Sequence, residues 1–533
     1  MTQARTDITA ADHRSALRVV LVATALRLLV AATLPLGVDE SYAVVVARTL
    51  SLSWFDHPPA VFWLAHAAAT LGGESPLALR WPFVLLFALT SWLLFRLGAR
   101  LFGSRAGLWT VVVAQVVPVF SLSSGSWVLP DGPLMCASTG TALLLARVAG
   151  VGHDASAARL LTPASRDAWT TWLAMGLTLG LAGLSKYHAA LLGLGVVIFV
   201  LSDAPSRAWV RHAAPYAAVL VALVCVAPVF VWNAQQEWAS FRFQSGRAAG
   251  SGNPLVSLLQ NIAGQAGYLF PWVWGPLVLV LVRALRAGPR DRATWLCCCL
   301  GAPPVLVFTL AALGGRPGLP HWPAPGYLLL LPLLGAAMAR WEHRSPAVMH
   351  RRTALAAVVF AGLVTLVVTH AATGWVARLV PSLHHDDPAF ELVEYRSLRD
   401  SLPDSLQDSL QDSLQDTGAD GGVSFVATSD WIRGAKVGYA MGPGVPVLVL
   451  NDDARHFRYL PWRASLTGRD GLLLVTMARD ETAPVVQSRA AALASEFDSL
   501  RFVRLLPVMR GADTAAMLGV FAARGLHAPA VRP

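Results

Sequence analysis

Long apolar segments alternate with short polar stretches over the first two thirds of the chain. An apolar run of about 18 residues or more is long enough for a helix to cross a bilayer. Segments of this kind, some of them slightly shorter, occur at 17–36, 79–98, 106–124, 131–148, 168–185, 187–202, 213–232, 266–283, 294–313, 323–339 and 354–375. The pattern therefore predicts about eleven transmembrane helices.

Two shorter apolar segments, 43–52 and 60–71, lie between the first and second long runs. Both have a helical pattern, but they are too short to span the membrane. Short amphipathic segments next to a membrane are typical of helices that lie along its surface. We therefore predict two interfacial helices in the first loop.

The last third of the chain has a different pattern. Residues 400–416 carry a four-residue repeat, DSLP followed by three copies of DSLQ, whose composition indicates a linker, although its leucines would also suit a marginal helix. Beyond it, strands are predicted at 423–427, 445–450, 472–477, 502–506 and 517–521, and helices at 432–439 and 485–497. Such alternation favours a small α/β domain.

Composition supports the same division. Of the 533 residues 55% are apolar and 14% are charged, whereas about a quarter of a soluble protein is charged. The fold class predicted is a polytopic α-helical membrane protein with a small extracytoplasmic α/β domain. Its parts are a transmembrane domain at 1–376, a linker at 377–422 and the α/β domain at 423–533.

Arginines concentrate in alternate connections, at 96–105, 147–166, 207–211, 283–292 and 340–352. The positive-inside rule assigns these connections to the cytoplasm. The N-terminus is then cytoplasmic, whereas residues 39–59 and the C-terminal domain lie outside the cytoplasmic membrane. The net charge of +10 follows largely from this topology, so we predict no nucleic-acid partner.

The candidate chemistry begins where the first apolar run ends. Asp39, Glu40, Asp56 and His57 are predicted at one membrane boundary, where ionisable groups are costly unless they have a function. The alternative is a solvated acidic loop. The aromatic and paired-proline residues around Asp56 favour a structured segment instead.

Further charged residues are predicted at the same face. Asp131 begins the fourth predicted span, where it would serve equally as a helix cap. Lys186 suits an anionic phosphate, although it would also serve as a lipid-facing anchor. Arg242 and Arg247, in one aromatic loop, would bind either a phosphate or lipid headgroups. His321 is a further candidate for substrate binding, although it is more readily explained as a structural residue than as a catalytic one.

Several motifs, taken in their order along the chain, resemble those of a known family. They are Asp39-Glu40-x-Tyr42, Phe55-Asp56-His57-Pro58-Pro59, Pro130-Asp131-Gly132-Pro133, Ser185-Lys186-Tyr187, the loop from Trp232-Asn233 to Arg247, and His321-Trp322-Pro323. The chain resembles bacterial integral-membrane glycosyltransferases of the GT-C class. The branch it is most similar to is glycosyltransferase family 39, with the protein O-mannosyltransferases and the lipid A aminoarabinose transferases.

The resemblance implies a transferase that moves a sugar from a polyprenyl-phosphate donor to a lipid, protein or cell-envelope glycan outside the membrane. It implies that Asp39 is the general base or acceptor-positioning carboxylate, with Glu40 beside it and Asp131 as a second carboxylate. His57 stands where relatives have Lys or His, and a histidine there would be a weaker, pH-dependent cation. Tyr187 belongs to the predicted substrate site with its neighbour Lys186.

The reaction explains why these residue types are needed. A carboxylate removes the proton of an attacking hydroxyl. The departing phosphate needs charge neutralisation by Lys186, Arg242 or Arg247, or by a divalent ion, Mg²⁺ or Mn²⁺, on Asp39 and Glu40. Inversion or retention at the sugar stays open. The alternative class is a lipid or lipid-linked sugar flippase, which would place its ionisable groups near the midplane.

Overall fold

The computed structural model describes residues 2–154, 158–247, 250–380, 387–395, 398–402, 423–477, 481–511 and 513–528. Most of the predicted DSLQ linker therefore lies outside the described residues. The contacts divide the chain into two compact units. One, here called the helical unit, comprises Met1–Ala31, Leu52–Leu64 and Arg80–Ala361; the other, the sheet unit, comprises Ala32–Ser51, Ala65–Leu79 and Gly362–Pro533.

Helices make up the first two thirds of the chain. Their bounds are α1 Thr2–Thr33, α2 Val38–Ala47, α3 Ala60–Gly72, α4 Pro76–Phe102, α5 Ser104–Val116, α6 Ser124–Ser126, α7 Asp131–Val148, α8 Arg166–Ser185, α9 Ala189–Ser202, α10 Ala213–Gln235, α11 Ala239–Gly246, α12 Pro254–Leu269, α13 Pro271–Ala287, α14 Arg292–Leu310, α15 Ala324–Arg344, α16 Pro346–Thr373, α17 Trp375–Leu379 and α18 Leu398–Ser401. A π-helical segment, Val119–Ser123, precedes α6.

Five helices among the described residues are long and apolar enough to cross a membrane: Ala10–Thr33, Pro76–Phe102, Ala213–Gln235, Arg292–Gly314 and Pro346–Thr373. Two bent pairs also qualify when each is taken together, Ser104–Val116 with Val119–Ser126 and Pro254–Leu269 with Pro271–Arg290. The chain is therefore a multi-pass membrane protein. The finer number of about eleven spans stays a prediction.

The C-terminal part folds as a five-stranded sheet with two helices. The strands are β1 Val426–Thr428, β2 Val447–Val449, β3 Gly471–Met477, β4 Phe497–Arg510 and β5 Asp513–Leu526, and the helices are α19 Trp431–Met441 and α20 Ala483–Ala491. The strand order is β2-β1-β3-β5-β4, parallel among the first three and antiparallel for β5 and β4. The predicted α/β domain is thus present, but its last two strands are much longer than predicted. The second helix ends at Ala491 instead of 497, because a turn and the 3₁₀ helix Ala494–Glu496 lie between it and the start of β4 at Phe497.

The first short helix was also predicted at the wrong position. It covers Val38–Ala47 instead of 43–52, so the acidic residues form its first turn and are not in a loop. The Glu40 carboxylate accepts a hydrogen bond from the backbone N–H of Gly37 at 2.8 Å. This bond satisfies a donor that a helix start leaves free, which explains why the helix begins within a polar run.

Within the helical unit, α8 and α10 approach closely along a line of glycines. A Cβ atom added at Gly180 would lie 2.5 Å from Cys225 Cβ, and one added at Gly183 would lie 2.5 Å from Val226 Cγ1. Small residues at this spacing let membrane helices pack at short distance, where hydrophobic driving force between them is weak. The glycines therefore fix the position of the C-terminal end of α8.

We expect Gly180→Ala to destabilise the protein by about 1–3 kcal/mol, because the added methyl forces α8 away from α10. Thermal unfolding in detergent measures this. Gly275→Ala in α13 is the matched control, since a Cβ there meets no atom within 4 Å. Equal melting temperatures for both variants would contradict the close packing.

Candidate active site

A buried ion pair lies at the centre of the polar residues of the helical unit. The Lys186 Nζ donates to both carboxylate oxygens of Asp131, each at 2.9 Å. Lys186 is 4% exposed and Asp131 is 5% exposed. Burying two charges costs several kcal/mol per ion, and a close pair with hydrogen bonds offsets this cost. Removal of either partner would leave an uncompensated buried charge.

Two helix ends position this pair. Asp131 is the first residue of α7, and Lys186 is the C-cap of α8. A helix carries partial positive charge at its N-terminus and partial negative charge at its C-terminus. The carboxylate and the ammonium therefore each sit at the helix end that favours them. The ion pair forms because the N-terminus of α7 lies next to the C-terminus of α8.

Imidazole groups surround the pair. The His188 ring stacks on Phe308 with centroids 4.4 Å apart, and Lys186, Asp131, His321 and His57 all lie close enough to interact with it. His321 precedes α15. Burial, and then the nearby charge of Lys186, lower its pKa to about 4, with Arg247 acting in the same direction and Asp131 against it. His321 is therefore neutral at neutral pH.

The segment that carries Asp56 is held by α11. The Gln244 side-chain amide donates to the Asp56 backbone oxygen at 2.6 Å, and Ser240 Oγ donates to the Trp54 oxygen at 3.1 Å. Asp56 itself is buried, and its charge acts on Tyr187. The structure thus brings Asp56 and Tyr187 into the same region as Lys186.

The two candidate arginines of this loop have different surroundings. The Arg247 guanidinium lies 5.0 Å from the Trp322 ring centroid and 5.5 Å from that of Phe243, and its charge acts on His321. Arg242 has a 66% exposed side chain, and its guanidinium lies 3.6 Å from the Glu237 carboxylate. Arg247 therefore faces the polar cluster, whereas Arg242 is at the surface.

Asp39 and Glu40 belong to the sheet unit. Asp39 is exposed, whereas Glu40 is 1% exposed and caps α2 through Gly37. Neighbouring residues on a helix point in directions about 100° apart. The exposed Asp39 is the carboxylate of this pair that a substrate can reach.

A divalent ion was predicted on these two carboxylates. The Glu40 carboxylate already accepts the Gly37 N–H hydrogen bond at the start of α2. Among the residues that the structure describes, no group of three or more His, Cys, Asp or Glu side chains is arranged to hold a metal. We derive no step through a metal, and a metal requirement stays a prediction.

Comparison with known proteins shows which class of protein the chain resembles. A family model described as "Dolichyl-phosphate-mannose-protein mannosyltransferase" matches residues 56–232. This match and the fold confirm the resemblance to integral-membrane glycosyltransferases of the GT-C class.

Individual proteins that are similar to this chain are consistent with this resemblance. The crystal structure of ArnT from Cupriavidus metallidurans bound to undecaprenyl phosphate has a TM-score of 0.59 to this chain at 18% identity. The match covers 96% of this chain and 98% of ArnT. Its apo state gives 0.58 at 16% identity, covering 97% and 98%. These likenesses show a shared fold. The lipid A galacturonosyltransferase RgtD of Rhizobium johnstonii is 27% identical over 313 residues, which are 57% of this chain and 60% of RgtD.

Sequence reasoning placed most of these residues but missed some of their neighbours. In the helical unit Asp56, His57, Asp131, Lys186, Tyr187, Arg247 and His321 come into one region, and Arg242 does not. His188 and Gln244 were not singled out as site residues. The position of His188 two residues after Lys186 was an available signal, whereas Gln244 acts through a backbone contact that has no sequence signature.

Lys186→Met should destabilise the protein by about 3–5 kcal/mol, because it leaves the Asp131 carboxylate buried without its partner. The double variant Lys186→Met with Asp131→Asn should recover most of this loss. Thermal unfolding of the native chain, both single variants and the double variant gives the coupling energy. Additive losses would contradict a buried pair.

The His321 pKa of about 4 lies below the ordinary value of 6.5. Between these values the unfolded chain takes up a proton that the folded chain does not, so the free energy of unfolding falls as the pH falls. His321→Gln removes this contribution. The stability of this variant should therefore decrease less than that of the native chain as the pH falls from 6.5 to about 4. Thermal unfolding at a series of pH values measures the difference. Parallel pH dependences would be inconsistent with a neutral, partly buried imidazole.

Proposed function

We propose that this protein is a glycosyltransferase that transfers a sugar from a polyprenyl-phosphate donor to a lipid acceptor at the outer face of the cytoplasmic membrane. The observation that carries the proposal is the buried Lys186–Asp131 pair with Arg247 and the neutral His321 in the same region. This set offers positive charge to an anionic headgroup next to apolar helices. The ArnT fold supports the donor class, because that protein has been seen bound to undecaprenyl phosphate.

The phosphate of the donor is assigned to Lys186 and Arg247. An arginine can form two parallel hydrogen bonds to a phosphate, and a lysine offers a compact charge. Asp131 keeps the Lys186 ammonium in place while the site is empty. When the phosphate binds, the ammonium is shared between the two anions, so negative charge that develops on the leaving group is stabilised.

The acceptor hydroxyl is assigned to Asp39. Its carboxylate takes the hydroxyl proton as the oxygen forms a bond to the anomeric carbon. The bond from that carbon to the phosphate oxygen breaks at the same time, and polyprenyl phosphate leaves with the electron pair. A phosphate is a good leaving group once its charge is neutralised, so the neutral His321 is not needed as a proton donor.

The acceptor is proposed to be a glycolipid of the lipid A class. The support is the similarity to RgtD, which is named for transfer to lipid A. Protein and cell-envelope glycans are the other acceptors that the sequence leaves open. The multi-pass topology of about eleven spans, with the N-terminus in the cytoplasm and the sheet domain outside, is part of this proposal.

The proposal predicts a difference between the two loop arginines. Loss of a charge-assisted phosphate contact costs about 1.5–3 kcal/mol. Arg247→Gln should therefore raise the KM for undecaprenyl-phosphate sugars about 10–100-fold. The measurement is transfer of labelled sugar to lipid A in membranes, at varied donor concentration.

Arg242→Gln is the matched control, since it removes an arginine from the same loop whose guanidinium faces Glu237 at the surface. Its KM should stay within about twofold of the native value. Equal effects of the two variants would overturn the assignment of Arg247. Movement of the labelled lipid across the bilayer without transfer would favour a flippase.

A further inference from the structure

Lysine is rare in this chain. Of the 42 Lys and Arg residues only Lys186 and Lys436 are lysines, and both are buried, at 4% and 6% exposure. A lysine is almost never fully buried without a specific partner. Lys186 has Asp131 as its partner, so the role of Lys436 calls for an explanation of its own.

Lys436 lies on α19 of the sheet unit and contacts the start of α2. Its Nζ donates to the Leu36 backbone oxygen at 2.6 Å. Leu36 immediately precedes Gly37, the N-cap residue of α2. A cation near a helix N-terminus opposes the helix dipole. Lys436 is therefore not a general stabiliser of α2, and its hydrogen bond instead fixes where the helix begins.

The same two helices are held together along their length. A Cβ added at Gly438 would lie 2.9 Å from Val45 Cγ1, so only a glycine permits this approach. At the end of α2, the Arg48 guanidinium donates to the Gly438 and Gly442 backbone oxygens at 2.9 Å and pairs with Glu74 at 2.7 Å. Both ends of α2 are thus attached to α19 or the turn after it.

A third contact lies between these ends. The Tyr42 ring packs edge-on against Trp431 and Phe457, with centroids 5.6 and 5.8 Å away. The backbone N–H of His456 donates to the Tyr42 hydroxyl at 3.1 Å. The aromatic ring therefore prevents rotation of α2 about its own axis, which sets the direction in which Asp39 points.

Another carboxylate of the sheet unit, that of Glu391, lies near Asp39. Glu391, in the 3₁₀ turn Pro388–Leu392, has a raised pKa because of partial burial and of the nearby charge of Asp39, which Lys436 opposes. The Leu392 side chain would lie 3.8 Å from a Cβ added at Gly37. This turn and α19 therefore both face the start of α2.

We propose that the C-terminal sheet domain positions the catalytic helix, with Lys436 as the positioning residue that holds the start of α2 and hence the Asp39 carboxylate. The inference rests on the proposed role of Asp39 in glycosyl transfer. It gives the C-terminal domain a function in the reaction: α2 and its carboxylate are attached to a folded domain outside the predicted spans.

The test is Lys436→Met in the full chain, read in two ways. Backbone hydrogen exchange of residues 36–47 should become about tenfold faster, because a hydrogen bond from a charged donor is lost. Sugar transfer should show a kcat lower by about 100-fold with a donor KM within about threefold, since misplacement of a reacting group by about 1 Å has this effect. Exchange of strand 471–477 should stay native, which shows that the domain is folded.

Arg433→Met is the matched control on the same helix, because the described contacts of the Arg433 side chain are with Asp430. It should leave exchange of 36–47 and kcat unchanged. Native exchange of 36–47 in Lys436→Met, or a loss that appears in KM alone, would overturn the proposal. Faster exchange of 36–47 in a chain that transfers no sugar would support the attachment of α2 and count against the proposed function only.

Discussion

The buried pair of Lys186 and Asp131 is the interaction on which the helical unit depends. Two charges removed from water are tolerated only when each has a close partner, and here each also sits at the helix end that favours its sign. The glycines of α8 fix the end of that helix and thereby the place of Lys186. A charge that is already balanced by a neighbouring carboxylate can accept a phosphate without a change of fold, and this is the property that the proposed donor site requires.

In the sheet unit, the constraint is the orientation of the Asp39 side chain. The proposed general base, Asp39, has to be held in a defined direction, yet it is exposed and lies in the first turn of a helix of only ten residues, too short to be stable by itself. Stability for such a helix has to come from packing. Glu40 satisfies the free donor at its start, and Tyr42, Lys436 and Gly438 connect it to the C-terminal domain. The domain that follows the repeat is thus the support that we propose for Asp39.

Much of this was accessible from the sequence because it depends on local pattern. The apolar runs predicted the helices, and the isolated Lys186 and the boundary position of Asp131 identified both partners of the pair. Their contact, 55 residues apart in the chain, needed the tertiary packing of α7 and α8. The sequence could not distinguish Arg242 from Arg247. Residues five apart in a helical segment point in directions about 140° apart, and only the placement of α11 decides which one faces inward. The prediction made β4 and β5 too short, because one face of the hairpin that they form is polar.

The most direct test of the account is a single-turnover measurement of sugar transfer from labelled undecaprenyl-phosphate sugar to lipid A, with native chain and Asp39→Asn at saturating donor. The account predicts that the variant binds donor with native affinity, while the transfer rate falls by about 10²–10⁴-fold, the usual contribution of a general base. Transfer at the native rate in Asp39→Asn would contradict the account, because the proton would then be accepted elsewhere.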